Sequence, residues 1–519
     1  MKVLMLGWEF PPHISGGLGT ACYGLTQGLA HCGVEVLFVV PRAHGDEDTR
    51  FVKVLGANQV PVRGLQAERQ LAGSLDPGVL PEFQWALGEP RRSAARSLAL
   101  CAAPAEDLGT APPLSPQDQR LVTLLREIVI DSALLPYQDE ACYSERLRRL
   151  EAAGLPGARG LLDRAGAGPG STEEVVQNLA SVLRDAPRLE QVAREVERFA
   201  ESLDQGRTLH FSGSYGADLL DEVARFALAV GEAARRESFD VIHAHDWMTY
   251  PAGMVAARVS NKPLVVHMHA CEYDRSGEHV NPRIRDLEQL GLDAAERVIC
   301  VSHYTARMLR TRYHIDRSKL RVVHNAVTHK EQAAVVHAEK TIPEPIVLFL
   351  GRVTFQKGPD YFLEAAARVV KLEPHVKFVI SGSGDMLPRM IERAARLGLA
   401  RHVHFTGFLR GSEVERMYAL ADIYVMPSVS EPFGISPLEA MALDVPVIVS
   451  RQSGVSEVLT NALKVDFWDV QEMANKILAL LRYPALREQL SSEGRQEVRR
   501  LRWDERARAV NLVYKEVLR

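Results

Sequence analysis

Ser428 to Pro446, SVSEPFGISPLEAMALDVP, places two glutamates, Glu431 and Glu439, on either side of a glycine-containing turn at the mouth of a helix. Ser436 is a favoured N-cap residue, Pro437 suits the first helical position, and Glu439 follows at the third. The spacing therefore predicts a helix starting here. Its unpaired N–H groups and positive dipole end would face the loop carrying Glu431, Phe433 and Gly434. Such a site favours an anion, and the carboxylates beside it suit hydroxyl groups, so a bound sugar nucleotide is the reading that uses both. A capping box alone would also account for Glu439, and the neighbouring segments bear on the choice.

Upstream, Pro345 to Leu350 reads as a buried strand. It is followed by GRVTFQKG, Gly351 to Gly358, and then a helical stretch from about Pro359 to Leu372. In a parallel α/β sheet such strand-to-helix loops lie at the carboxyl ends of the strands, where ligands bind, so Arg352 and Lys357 can converge on a diphosphate. A second strand, Val376 to Ser381, ends in GSGD, where Gly382 and Gly384 permit close backbone approach to a ligand. At the other end of the chain, Lys2 to Leu6 is a short apolar strand. The loop PPHISGGLG, Pro11 to Gly19, then leads into a helix that runs to about His31. Gly16 and Gly17 give this loop a phosphate-binding geometry.

Together, Gly351-Arg352 with Lys357-Gly358, Ser381 to Asp385, and Glu431-Pro-Phe-Gly with Glu439 eight residues on resemble the retaining glycosyltransferases of family 4. Affinity to the bacterial glycogen and starch synthases of family 5 is also visible. The resemblance covers roughly residues 1–60 and 205–519. It implies an α/β GT-B fold, two Rossmann-like doubly wound domains facing a cleft, with a helical insertion in the N-terminal domain. It also implies that Gly16 and Gly17 contact the donor diphosphate. Family 5 enzymes usually carry a lysine two residues before the glycine pair; Ile14 stands there, which favours a family 4 type.

Two further strands end in polar clusters. Asp240 to Trp247, DVIHAHDW, puts His243 and His245 on one strand face, and Leu264 to His269, LVVHMH, repeats the pattern. Four histidines and an aspartate can meet there. A metal site is the rival reading, which would make the chain a metal-dependent hydrolase; histidines satisfied inside a core are the plain one. The resemblance assigns His267 to the transferred sugar and Asp246 and Trp247 to the acceptor side.

With 519 residues, 46% hydrophobic and 25% charged, the chain can bury two sizeable cores. A net charge of −4 without a basic block argues against nucleic acid as a ligand. No apolar stretch reaches the ~18 residues of a membrane span, and the N-terminus lacks signal-peptide order. The six cysteines show no framework spacing, which suits a reducing cytoplasm. Peripheral membrane contact and oligomeric state stay open.

Residues 1–335 are expected to form the acceptor-side domain, with a helical insertion at about 60–205. A linker near 329–341 leads to an NDP-sugar-binding domain over 336–495. Residues 496–519, with Trp503, Leu512, Val513 and Tyr514 as an apolar set, are expected to cross back to the first domain. The expected chemistry is transfer of a hexose, glucose from ADP- or UDP-glucose, to an α-glucan acceptor. Arg352, Lys357, His267 and Glu431 would be catalytic, Glu439 would be on the ribose, and no metal or other cofactor is called for. Cell-surface polysaccharide, glycolipid or small-glucoside synthesis is the alternative within the same class. A non-catalytic carbohydrate-binding protein is a further alternative from a different class.

Overall fold

Runs of β-branched and aliphatic residues such as VLML, VLFVV and IVLFL are apolar on both faces, the signature of strands buried between helix layers. The computed structural model describes residues 1–13, 17–60, 211, 219–327, 340 and 342–519. The expectations for the 60–205 insertion, for all but one residue of the 329–341 linker, and for Ile14 and Gly16 fall outside them. Strands β1 (Lys2–Leu6), β2 (Glu35–Val40), β3 (Lys53–Gly56), β4 (Val241–His245), β5 (Leu264–Met268), β6 (Arg297–Cys300) and β7 (Leu320–Val322) form one sheet. Its order is β3-β2-β1-β4-β5-β6-β7. A second sheet has the order β10-β9-β8-β11-β12-β13. It contains β8 (Ile346–Leu350), β9 (Lys377–Ser381), β10 (Val403–Gly407), β11 (Ile423–Met426), β12 (Val447–Ser450) and β13 (Leu463–Val465).

Every strand pair in both sheets is parallel. In each sheet the chain moves outward on one side, returns to the centre and continues on the other. The strand order therefore reverses between β1 and β4 and between β8 and β11, where a doubly wound sheet opens a crevice at its carboxyl edge. The glycine loop follows β1, the HDW segment follows β4, the cationic loop follows β8 and the Glu431 loop follows β11. All four lie at carboxyl ends.

The element limits move by small amounts for local reasons. Pro345 has no N–H to give the ladder, and the strand begins at Ile346. Ser436 is not the cap: Ile435 occupies that position without a side-chain cap bond, and Ser436 is the first helical residue. The helix over Gly17–His31 starts inside the expected loop, so Gly17 to Gly19 belong to its first turn.

The last helix, Trp503–Val517, packs on the first sheet's half of the molecule. Trp503, Ala507, Val510, Val513 and Tyr514 join a core containing Val3, Met5, Phe38, Val241 and Val265. Leu512 does not belong to that face: it is 63% exposed, because the buried stripe 503, 507, 510, 514 follows the helical period and 512 falls off it. Close approach is possible because the facing helix offers glycines. A Cβ on Gly24 would lie 2.1 Å from Trp503 Nε1, and one on Gly28 would lie 2.7 Å from the Trp503 carbonyl. Trp503→Ala is expected to cost about 3–5 kcal/mol of stability, read from urea unfolding.

Candidate active site

The loops after β8, β9 and β10 are stitched to one another by backbone hydrogen bonds. Gly351 N–H donates to the Ser381 carbonyl (3.0 Å), Val353 N–H to Ser383 (2.8 Å) and Gly382 N–H to Gly407 (2.8 Å). Gly382 has φ +141°, and a Cβ there would sit 1.9 Å from the Gly351 carbonyl oxygen. At Gly384 it would sit 2.3 Å from the Val353 oxygen. The approach these glycines permit is therefore of the chain to itself: they shape the loop that presents Arg352. Gly382→Ala has to displace that loop, and we expect a lower melting temperature together with loss of turnover.

The same loop makes a 3-10 turn over Phe355–Lys357 that ends at Gly358, with φ +63° under the Pro427 carbonyl. Lys357 Nζ donates to Glu431 Oε2 at 2.5 Å, and Ser428 Oγ donates to the same oxygen at 3.1 Å. Buried Gln356 links the parts: Arg352 Nη2 donates to its Oε1 at 3.0 Å, and its backbone carbonyl accepts from Val429 N–H at 2.9 Å. Cation loop and carboxylate loop thus form one unit. The Glu431 side chain is only 8% exposed and that of Lys357 23%, so the pair sits in a partly dehydrated place where either charge alone would be costly. Gly434, at φ +96°, lies against the Glu431 side chain, with an added Cβ 3.1 Å from its Cγ. Phe433 is buried in the apolar core, and its carbonyl accepts from Val455 N–H at 2.7 Å. Glu439 is held by Tyr418, whose hydroxyl donates to Oε2 at 3.2 Å. Gly17 is exposed, with open space where a Cβ would point.

The histidines of β4 and β5 do meet. His245 and His267 are register partners on neighbouring strands. Ring centroids lie 4.3 Å apart for His243 and His245, 5.3 Å for His243 and His267, and 4.3 Å for His267 and His269. His243 Nδ1 is 2.6 Å from the Tyr514 hydroxyl, and His245 Nδ1 is 2.9 Å from His269 Nε2. Both nitrogens of His267 are buried without a hydrogen-bond partner. Burial pushes His243 and His269 down to about 3, and His245 and His267 well below the ordinary imidazole value, with neighbouring imidazoles adding to the effect for all but His269. The cluster is therefore neutral at pH 7. Ligand-type nitrogens of His243, His245 and His267 lie within 4.8 Å of one another, yet the His243 and His267 rings are only 7° from parallel. The Nδ1 atoms of His243 and His245 already have partners in Tyr514 and His269.

Strand β5 ends at Met268, so His269, half-buried and one residue past the end, stands at the cleft rim, while His267 is 3% exposed inside the sheet. The alternation of LVVHMH carries this distinction: the later histidine of the pair is nearer the carboxyl edge. Asp246, at φ +59°, caps the same corner, its Oδ1 accepting from His269 N–H at 2.7 Å. Burial raises it to about 6, against the lowering effect of Arg275 and of the His269 and Ala270 amides. Trp247 is wholly buried in the first core, where it packs rather than faces a cleft. Sequence reasoning also missed the side chains that join the two halves, chiefly Asp274, Tyr304, Ser430 and Glu457, because no spacing links residues so far apart in the chain. Glu457, from the second half, accepts from the backbone N–H groups of His303 and Tyr304 at 2.9 and 2.6 Å, where the helix His303–Arg312 begins. It also contacts His324 Nε2 at 2.9 Å.

Comparison with known proteins bears on this arrangement. Residues 333–497 match the profile of glycosyl transferases group 1, 172–331 that of glycosyltransferase family 4, and 2–72 that of the starch synthase catalytic domain. An uncharacterised glycosyltransferase of Methanocaldococcus jannaschii is 32% identical over 297 residues, which are 54% of this chain and 76% of the relative. The chain belongs to the glycosyltransferases. This glycosyltransferase is also 28% identical over 358 residues to a D-inositol 3-phosphate glycosyltransferase of a Nocardioides species, covering 62% of this chain and 78% of that one. Its fold is similar to that of sucrose-phosphate synthase from Thermosynechococcus elongatus, with a TM-score of 0.60 at 16% identity over 99% and 98% of the two chains. Both sheets of the glycosyltransferase thus take the GT-B arrangement expected from the sequence. Among its described residues no helix is long and apolar enough to cross a membrane.

Proposed function

We propose that the chain is a retaining hexosyltransferase that moves glucose from ADP- or UDP-glucose to an α-glucan, and that the transfer needs no metal. The observation that carries this reading is the unit made by Arg352, Gln356, Lys357 and Glu431, two cations and a carboxylate fixed to one another at the crevice of the second sheet. As the bond between the anomeric carbon and the diphosphate oxygen breaks, negative charge grows on the leaving group. Arg352 and Lys357 would stabilise it, together with Gly16 and Gly17. An ammonium has three N–H donors, so Lys357 can hold Glu431 and still reach a phosphoryl oxygen. Glu431 would accept from sugar hydroxyls, and Glu439 from those of the ribose. The acceptor hydroxyl forms the new bond from the face the diphosphate leaves, and its proton passes to the departing phosphate oxygen. No protein nucleophile is needed. Asp246 and the neutral imidazole at the β5 end line the opposite wall of the cleft, where His267 or its rim neighbour His269 would meet the sugar.

The match of residues 2–72 to the starch synthase catalytic domain supports a glucan acceptor. The relatives named D-inositol 3-phosphate glycosyltransferase favour a second reading, in which the acceptor is a small phosphorylated polyol. Release of nucleoside diphosphate from ADP-, UDP- and GDP-sugars, with EDTA present and with glycogen, maltooligosaccharides or inositol phosphate added in turn, separates these readings. Glucan-stimulated release with chain lengthening is expected. Release stimulated only by inositol phosphate would replace the acceptor assignment, and dependence on added metal would overturn the metal-free mechanism.

A further inference from the structure

Ser430 immediately precedes Glu431, and its hydroxyl is where side chains of the two halves meet. Ser430 Oγ donates to Asp274 Oδ1 at 2.6 Å and lies 2.9 Å from the Tyr304 hydroxyl. Asp274 and Tyr304 come from the segments that follow β5 and β6, whereas Ser430 comes from the loop after β11. The second carboxylate oxygen of Asp274 accepts from Cys271 N–H at 2.9 Å and from the Cys271 thiol at 3.0 Å. An ionised carboxylate only accepts, and the serine has one proton, so the direction is fixed: Tyr304 donates to Ser430, and Ser430 donates to Asp274. Asp274 is 1% and Ser430 7% exposed, which places the chain of bonds where water does not substitute for it.

Within its own half, the Glu431 loop is tied by Glu431 N–H to the Gln452 carbonyl and by Val429 N–H to Gln356 (both 2.9 Å). Across the seam, a side chain next to Glu431 is tied through Ser430. A serine supplies little packing volume, so what it contributes here is its pair of hydrogen bonds. We infer that Tyr304, Ser430 and Asp274 form a positioning relay that sets the Glu431 carboxylate relative to the opposite wall of the cleft. This rests on the function proposed above. Donor binding and sugar placement are then separable: the contacts to the nucleotide, from the Arg352–Lys357 loop and from Gly16-Gly17, do not run through Ser430, and productive placement of the sugar needs both halves in register.

The test uses the full chain and its Ser430→Ala, Ser430→Thr, Asp274→Asn and Ser430→Ala/Asp274→Asn variants. With the donor that the wild type turns over, Ser430→Ala is expected to lower kcat at least tenfold while the Kd for the free nucleoside diphosphate changes less than twofold. Ser430→Thr, which keeps the hydroxyl, should recover kcat to within threefold of wild type, and the double variant should lose no more than the worse single one. A kcat within twofold of wild type in Ser430→Ala, or a Kd weakened in step with kcat, overturns the relay. A second readout needs no turnover: in urea unfolding, the two substitutions should couple by at least fivefold in the unfolding constant. Additivity within twofold would overturn the contact itself. A wild type silent on every donor would overturn the proposed function, and the unfolding cycle would still decide whether the relay exists.

Discussion

Lys357→Ala is expected to lower transfer turnover by about 10²–10³-fold, the range seen when one fixed electrostatic partner of a developing negative charge is removed. Two losses combine in this variant. The leaving diphosphate loses a cation, and Glu431, 8% exposed, loses the ammonium that neutralises and orients it. The second loss distinguishes Lys357 from Arg352, which bonds Gln356 rather than the carboxylate. Arg352→Ala should therefore lower kcat more than it weakens donor binding. Lys357→Ala should also lower the urea midpoint, because it leaves a buried carboxylate uncompensated. Adding Glu431→Gln to Lys357→Ala should restore the midpoint without restoring turnover. Steady-state rates and unfolding curves on the same three variants check this. A Lys357→Ala variant with near-normal turnover would remove the cation from the mechanism.

Acid sensitivity is the second large effect, and its source lies in the first sheet. His243 and His269 are held down to about 3 by burial, and His245 and His267 fall well below the normal range. An unfolded chain protonates these residues near 6.5. The stability they permit is present above that value and is lost as pH falls toward the folded values, by about 1.4 kcal/mol per pH unit for each imidazole kept neutral. Buried acids act the other way. Glu288 is raised to about 7 and Asp246 to about 6, both mainly by burial, and Asp274 is raised as well. Glu288 and Asp246 hold protons in the folded state that the unfolded chain releases, so they add stability as pH falls through the same window. Four imidazoles against two carboxyls leave a net difference of about two protons, roughly 2.8 kcal/mol per pH unit between about 6 and 4.5. Unfolding free energies at pH 7, 6 and 5 read this slope. His267→Leu, which removes a ring with no hydrogen bond to lose, should flatten the slope by about one proton.

Much of this architecture was legible because it is local. The buried strands after Met1 and before Gly351 are continuous apolar runs, and the glycine and glutamate motifs fall directly behind them. Periodicity and loop chemistry therefore put Arg352 and Lys357 in one loop at a carboxyl edge, and the family resemblance brought Glu431 to them. The pairing of His243 with His245 also followed from strand alternation. What sequence could not supply depends on sheet order and on contacts across the molecule. Nothing local shows that Gly382 is pressed against Gly351, so its small size suggested a ligand. Trp247 follows a polar motif and suggested a cleft, yet the core beneath β4 takes it. The same holds for Asp274 and Ser430, which lie 156 residues apart.

The returning helix also has a meaning for biosynthesis. His31 meets Asp504 across 473 residues, and buried His243 finds a hydroxyl partner in Tyr514. The first sheet leaves the ribosome early, but the core that it shares with the helix Gly17–His31 stays incomplete until Trp503–Val517 emerges. Long-range closure of this kind slows folding and prolongs exposure of apolar surface. The nascent first half therefore waits for the last helix, whereas the second sheet has its covering helices close at hand in the chain.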